Sequence, residues 1–298
     1  MGKFDQGIDH AMKKLKVLLA IIGIILIINN FVGVFVNMRN PAIYTDPHNE
    51  FPNDITLTEA QFYQALDRVS GDRVQTLTQI NAIVNQGIAH NWRDDAIEKY
   101  HLRVPFYENF ILFGSSYLYP ALFLKYQFVD YHRAVERGVG LCSEEAFVLT
   151  GILGDKGIKA KIVGLSGHVV VSAPVDDAQS TWWIFDPDYG VVIPNNISQI
   201  EENPELVRPY YAAKGYTPQK IDSLVSYYGE GGNKVVDGIV GYSRFRYYYE
   251  YASYIMIWVI PVVFILPFAI SVALRLLRKE TSLRDFSQFQ QPEGSRFS

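Results

Sequence analysis

The sequence predicts an α+β fold, with helices packed on an antiparallel sheet, carried between two transmembrane helices. Two uncharged apolar runs near the ends of the chain are each long enough to cross a bilayer. Between them, apolar residues first recur at helical spacing; from Lys159 to Phe185 they give way to short β-branched runs separated by turn residues. The 298 residues, 49% hydrophobic, suffice for one or two domains, and 27 basic against 31 acidic side chains leave no basic excess of the kind nucleic-acid binding requires. No nucleic acid partner is therefore expected. A single cysteine allows no internal disulfide, so the compartment has to be read from topology.

Residues 1–16 are polar, with Lys3, Lys13, Lys14 and Lys16, and read as a cytoplasmic N-terminus. Residues 17–36 form the first transmembrane helix. The run is longer than the apolar part of a signal peptide and ends without a small-residue cleavage pattern, which favours an uncleaved anchor. Asn29 and Asn30 within it read as residues of its outer half or as hydrogen-bonding partners of another helix, rather than a polar pathway. Residues 253–274 form the second span, opened by an aromatic belt of Tyr247, Tyr248, Tyr249, Tyr251, Tyr254 and Trp258 and kinked by Pro261 and Pro267. Beyond it, residues 275–298 carry Arg275, Arg278, Lys279 and Arg284 and read as a cytoplasmic tail, its last fifteen or so residues disordered. Residues 37–252 then form an extracytoplasmic domain, periplasmic or extracellular, held at the cell membrane with both termini cytoplasmic.

Within that domain, Asn37–Ile55 is Pro-containing and reads as an extended linker or cover. Thr58 to Val69 predicts a helix with a Thr58/Gln61 capping box, and Asp72 to His90 predicts another. Tyr100 to Tyr131 is aromatic and poor in charge. It reads as a helical layer under the sheet, with a hydrophobic groove or a third span over Phe106 to Leu124 as alternatives. Gly138 and Gly140 permit a tight turn before Cys142, after which Ala146, Leu149, Ile152 and Leu153 recur at helical spacing until Gly157 caps the helix. A thiol at a helix start feels the positive end of the macrodipole, which favours thiolate, although Glu144 and Glu145 partly oppose this.

Strands are predicted over Lys159–Leu165, Val169–Val175 and Thr181–Phe185, the last two joined by a turn containing Asp176, Asp177 and Ser180. In such a hairpin His168 and Asp186 are equidistant from position 177, which makes them direct cross-strand partners with Cβ atoms about 5 Å apart. An Asp carboxylate there fixes the imidazole, and the imidazole takes the proton of Cys142. After Pro194, a helix is expected from Pro218 to Tyr228 with Thr217 as its cap. Gly229, Gly231 and Gly232 then break the pattern before Val235 to Tyr251 leads helically into the second span, with Arg244 and Arg246 near lipid headgroups.

The stretch resembles the transglutaminase-like superfamily, relatives of the papain-like cysteine peptidases, in a membrane-anchored bacterial form. The matching residues are Gly140 and Cys142, then Gly157, Ile158 and Ala160, then Gly167 and His168, and finally Asp186 and Pro187. The resemblance implies a papain-like helix-plus-sheet core and a Cys-His-Asp triad that cleaves or transfers an amide or peptide acyl group. Cys142 would be the nucleophile, His168 the general base and then acid, and Asp186 the residue that orients it. The expected oxyanion donor is the backbone N–H of Cys142, with Trp92 or Tyr131 as side-chain candidates. No cofactor is implied, and the substrate would be a protein, peptide or envelope polymer.

In place of the aromatic-plus-acid pair that often follows the His in this family stand Val169 to Ser172. That motivates the alternative of a catalytically silent scaffold binding an envelope protein or polysaccharide-assembly partner, possible membrane-protein partners included. His90, His101 and His132 read as surface or core histidines rather than metal ligands, and Asp176, Asp177 and Asp188 as turn residues rather than calcium ligands, so no metal site is expected.

Overall fold

A computed structural model describes residues 2–51, 54–229 and 231–289. It contains two compact units, the described residues of Met1–Phe35 with Tyr254–Ser298, and Val36–Ser253.

The first unit is built from helix Gly2–Phe35 and the greater part of helix Arg244–Phe289. His10–Phe35 and Arg244–Lys279 are long and apolar enough to cross a membrane, and Ile25, Ile28, Val34, Ile270 and Leu276 are exposed, as side chains facing lipid would be. The Asn30 amide donates to the Ile257 carbonyl at 2.5 Å. That carbonyl stands four residues before Pro261, which has no N–H to offer it, so the amide restores the hydrogen bond the proline removes. Asn30 thus bonds another helix rather than forming a polar pathway. At Gly23 a Cβ would sit 2.6 Å from the Pro261 carbonyl oxygen, so only glycine permits this approach. The C-terminal helix runs through both prolines to Phe289, into the region expected to be a disordered tail; residues 290–298 lie outside the described residues.

In the second unit, Thr58 and Asp72 cap helices Glu59–Asp67 and Arg73–Gly87, each closing a capping box with a glutamine three residues on. Ala89–His90 (β1) pairs in parallel with Val139–Gly140 (β2), a bridge the sequence reading did not contain. The main sheet comprises Lys161–Gly164 (β3), Val169–Pro174 (β4), Trp182–Asp186 (β5), Val191–Ile193 (β6) and Lys234–Asp237 (β7), in the order β6-β5-β4-β3-β7. Every neighbouring pair is antiparallel. β7 corrects the expectation of continuous helix after the glycines: released by them, Lys234–Asp237, with two β-branched valines at its centre, pairs with β3 at an exposed sheet edge before a short helix, Gly238–Tyr242.

Alternate sheet residues feed two cores. Val163, Val170, Ile184, Val191 and Ile193 pack with Val207, Tyr211, Ile221 and Leu224 from the helical segment after β6. Ile162, Val171 and Phe185, on the alternate positions, are buried too, and helix Cys142–Asp155 packs on β3 and β4. The central β4 is covered on both faces, which accounts for its unbroken run of buried residues. The layer beneath the sheet is thus the Cys142 helix, not the aromatic segment. Helices Phe110–Leu118 and Pro120–Phe123 pack on each other and are too short and too sharply broken for a third span. Asn37–Ile55 is a cover rather than a free linker, with Met38, Ile43 and Phe51 buried.

Candidate active site

The turn before Cys142 is fixed from two sides. Gly138 adopts φ +70°, and a Cβ there would meet the Arg39 guanidinium, which is occupied by the carbonyls of Leu57, Gly87, Val135 and Glu136. A Cβ at Gly140 would lie 2.9 Å from Glu144 Oε2. Both oxygens of that carboxylate accept from Arg137 Nη2, at 2.7 and 2.6 Å, and Oε1 also accepts from the Phe128 N–H at 2.8 Å. The guanidinium also donates to the carbonyls of Val139 and Tyr126 and lies over the Phe128 ring. Both charged groups are fully buried and fully engaged, so the ion pair clamps the turn to the helix start.

Cys142 is the first residue of its helix, and the chain turns left-handed at Gly157, φ +71°, just beyond the helix end. The thiol is buried, and its sulfur lies within 4.8 Å of a His168 ring nitrogen. His168 Nε2 lies 2.8 Å from Asp186 Oδ2, which leaves Nδ1 on the side available to the thiol. Asp186 also accepts from the Tyr211 hydroxyl at 2.6 Å and from the Tyr189 N–H at 3.2 Å, and the Tyr189 ring stands edge-on to the imidazole. Burial alone would depress the His168 pKa; the Asp186 charge and hydrogen bond, with the thiol beside them, outweigh it and hold the pKa well above the ordinary histidine value.

The hairpin register differs from the expected one. Ser172 pairs with Ile184 and Val171 with Phe185, so Asp186 falls level with Val170, and His168 with Asp188. The turn centre lies one residue later than assumed because Asp176 folds back on Ser180 and Thr181. A two-residue offset keeps both side chains on one face, so Asp186 reaches the imidazole diagonally instead of directly across.

Asp188, expected to be a turn residue, does sit in the Pro187–Gly190 turn, but its carboxylate is buried in the site. It lies 2.7 Å from His90 Nδ1 and 3.8 Å from His168 Nδ1. Burial acts to raise its pKa, yet the charges of His90 and His168 and the hydrogen bonds from His90 and Glu145 hold it below the usual carboxylate range. Glu145 shifts the other way: burial first, then the negative charges of Asp188, Asp54 and Asp186, push it well above the ordinary value. Glu145 Oε2 has no hydrogen-bond partner among the described residues. Behind them, burial raises Asp54 to about 6, while it accepts from the His90 N–H at 3.0 Å.

Ligand atoms of Cys142, His168 and Asp188 lie within 4.8 Å of one another, a donor set of the kind zinc accepts. The other histidines are elsewhere: His101 Nδ1 lies 2.7 Å from the Met38 carbonyl oxygen and His132 Nδ1 lies 3.0 Å from the Tyr63 hydroxyl. The Tyr131 hydroxyl donates to Asp155 at the far end of the Cys142 helix, and Trp92 packs against the cluster containing Ile43, Ala96 and Tyr100. Gln127 is instead held beside the helix start, its Oε1 accepting from Ser143 at 2.8 Å and from Arg246 at 3.2 Å. Arg246 is thereby turned to the site, not to headgroups. No spacing in the sequence singles out Tyr211, Glu145 or Gln127; Asp188 was visible only as the second acid of Asp-Pro-Asp.

No family model, curated protein or solved structure matches the chain, so the site is judged on its own geometry.

Proposed function

We propose that this chain is a membrane-anchored, transglutaminase-like cysteine enzyme acting outside the cytoplasm on an amide or peptide acyl group. One observation carries the reading: a buried imidazole lies between the only thiol, at a helix start, and a carboxylate fixed by two further donors. The thiolate attacks the carbonyl carbon while the Cys142 backbone N–H, and the amide nitrogen of Gln127, receive the oxyanion. His168 gives its proton to the leaving amine, and a thioester forms on Cys142. Water, deprotonated by His168, attacks the thioester and releases the acid and the thiol. An amine in place of water gives transamidation; hydrolysis is preferred because water abounds outside the membrane.

The outward placement follows from the basic residues outside each apolar run. A reporter fused near Asn195 is expected to be extracytoplasmic and reporters at the termini cytoplasmic; the reverse would end that part of the proposal. The chemistry is tested by iodoacetamide labelling of the full chain in detergent at neutral pH, read by mass spectrometry. Labelling of Cys142 at least about tenfold faster than in His168→Ala is expected. Equal, slow labelling of both would favour the silent scaffold.

A further inference from the structure

The segment between Asn109 and Leu124 contains no charged residue, yet its middle is not in the core. Tyr117, Leu118, Tyr119 and Leu122 are exposed, Leu118 to 77% of its surface, so that the outermost part of a helical hairpin is large and apolar. Its polar groups are closed internally. The Ser115 and Ser116 hydroxyls donate back to the carbonyls of Ile111 and Phe113, and the N–H groups of Tyr119 and Phe123 bond the carbonyls of Ser115 and Tyr119. Pro120 has no N–H to satisfy. A tip built this way can leave water without stranding those groups.

The hairpin's inner side is fastened to a particular place. Asn109 donates to the Ser253 hydroxyl at 2.9 Å, the Ser115 hydroxyl lies 2.6 Å from that of Tyr249, and the Phe123 ring packs on Tyr249 at 5.0 Å. Ser253 opens the uncharged run that continues to Leu274, and Phe245, Tyr248 and Tyr251, just before it, are exposed aromatics. Arg103 and Lys125 flank the hairpin, Arg103 reaching the Tyr117 hydroxyl at 2.6 Å, the tyrosine-and-cation edge expected where a protein meets headgroups.

We propose that the Phe110–Phe123 hairpin is an interfacial element whose tip, Tyr117 to Leu122, inserts into the outer part of the lipid bilayer without crossing it. The lipid surface is the occupant that the uncharged sequence, the closed polar groups and the fastening to the first turn of an apolar run select together. The proposal concerns an element of the Val36–Ser253 unit and does not depend on the enzymatic reading.

Nitroxide labels at Leu118→Cys and Leu122→Cys, each in a Cys142→Ser background of the full chain reconstituted in phosphatidylcholine vesicles, test this by power-saturation electron spin resonance. Collision with oxygen is expected to exceed collision with a water-soluble nickel chelate several-fold at both positions, the opposite of a label at Asp177→Cys on the exposed β4–β5 turn. Chelate-dominated relaxation at Leu118 and Leu122 would overturn the proposal, and protection from both reagents would overturn it in favour of a protein partner.

Discussion

Glu144 and Glu145 occupy consecutive positions in the first turn of the Cys142 helix, and both are buried. Their surroundings are nevertheless opposite in kind. Around Glu144 the charges balance: one carboxylate accepts from one guanidinium, whose other nitrogens donate to the carbonyls of Val139 and Tyr126. Around Glu145 acids accumulate, with Asp188, Asp54 and Asp186 close by and the two histidines His90 and His168 to offset them. The first arrangement holds a turn in place. The second gathers acids whose mutual repulsion adds to burial, so that Glu145 is raised well above the ordinary carboxylate value, whereas at Glu144 the guanidinium opposes the effect of burial. Two glutamates beneath a thiol are therefore not two free charges: Glu144 is paired with Arg137, and burial with the surrounding acids disfavours ionisation of Glu145.

The largest expected effect lies on the acid-rich side. Asp186→Asn removes the group that raises the His168 pKa while leaving a side chain of the same shape, so turnover on a genuine substrate should fall by about 10⁴-fold. Histidine NMR on the full chain should show the His168 pKa lower in the variant than in the wild type, since only the thiol and the more distant Asp188 then oppose burial. A His168 pKa unchanged by the substitution would move the orienting role to Asp188.

The same chemical change at the two glutamates sharpens the contrast. Glu144→Gln leaves the buried Arg137 charge without its partner and should cost about 3–5 kcal/mol of stability, whereas Arg137→Met with Glu144→Leu should recover most of it. Glu145→Gln removes an acid from among other acids and leaves no cation unpaired, so it should cost less than about 1 kcal/mol. Thermal melts of the detergent-solubilised chain decide between them; equal losses at both positions would abolish the distinction. Between these falls Gln127→Ala, expected to lower kcat roughly 10²-fold with little change in KM if its amide serves the oxyanion. A rise in KM at unchanged kcat would make it a binding residue.

The smallest effect concerns Asp54. Its folded pKa, about 6, exceeds the model-peptide value of 3.8, so the folded state binds the proton more tightly than the unfolded chain. Its contribution to stability is therefore greatest below pH 3.8 and is lost as pH rises to about 6. Asp54→Asn should flatten that part of the melting-temperature profile between pH 4 and 7, and an unchanged slope would assign it to another group.

Much of this molecule was determined by sequence at short range. The apolar runs, the capping boxes at Thr58 and Asp72, the helix that starts at Cys142 and stops before Gly157, and the strands β3 to β5 each depend on residues within a turn or two of one another. Cys142, His168 and Asp186 were legible for the same reason, each standing at the end of a local element. Other features were decided by tertiary structure. β7 pairs with β3 across some seventy residues, and the two-residue offset of the hairpin was set by how Asp176 closes its turn. The roles of Tyr211, Gln127 and Asp188 come from partners brought together by packing. Whether Glu145 carries a charge was decided last of all, because a proton's affinity depends on the dielectric and the charges around the folded site, and residue order specifies neither until the chain has closed around them.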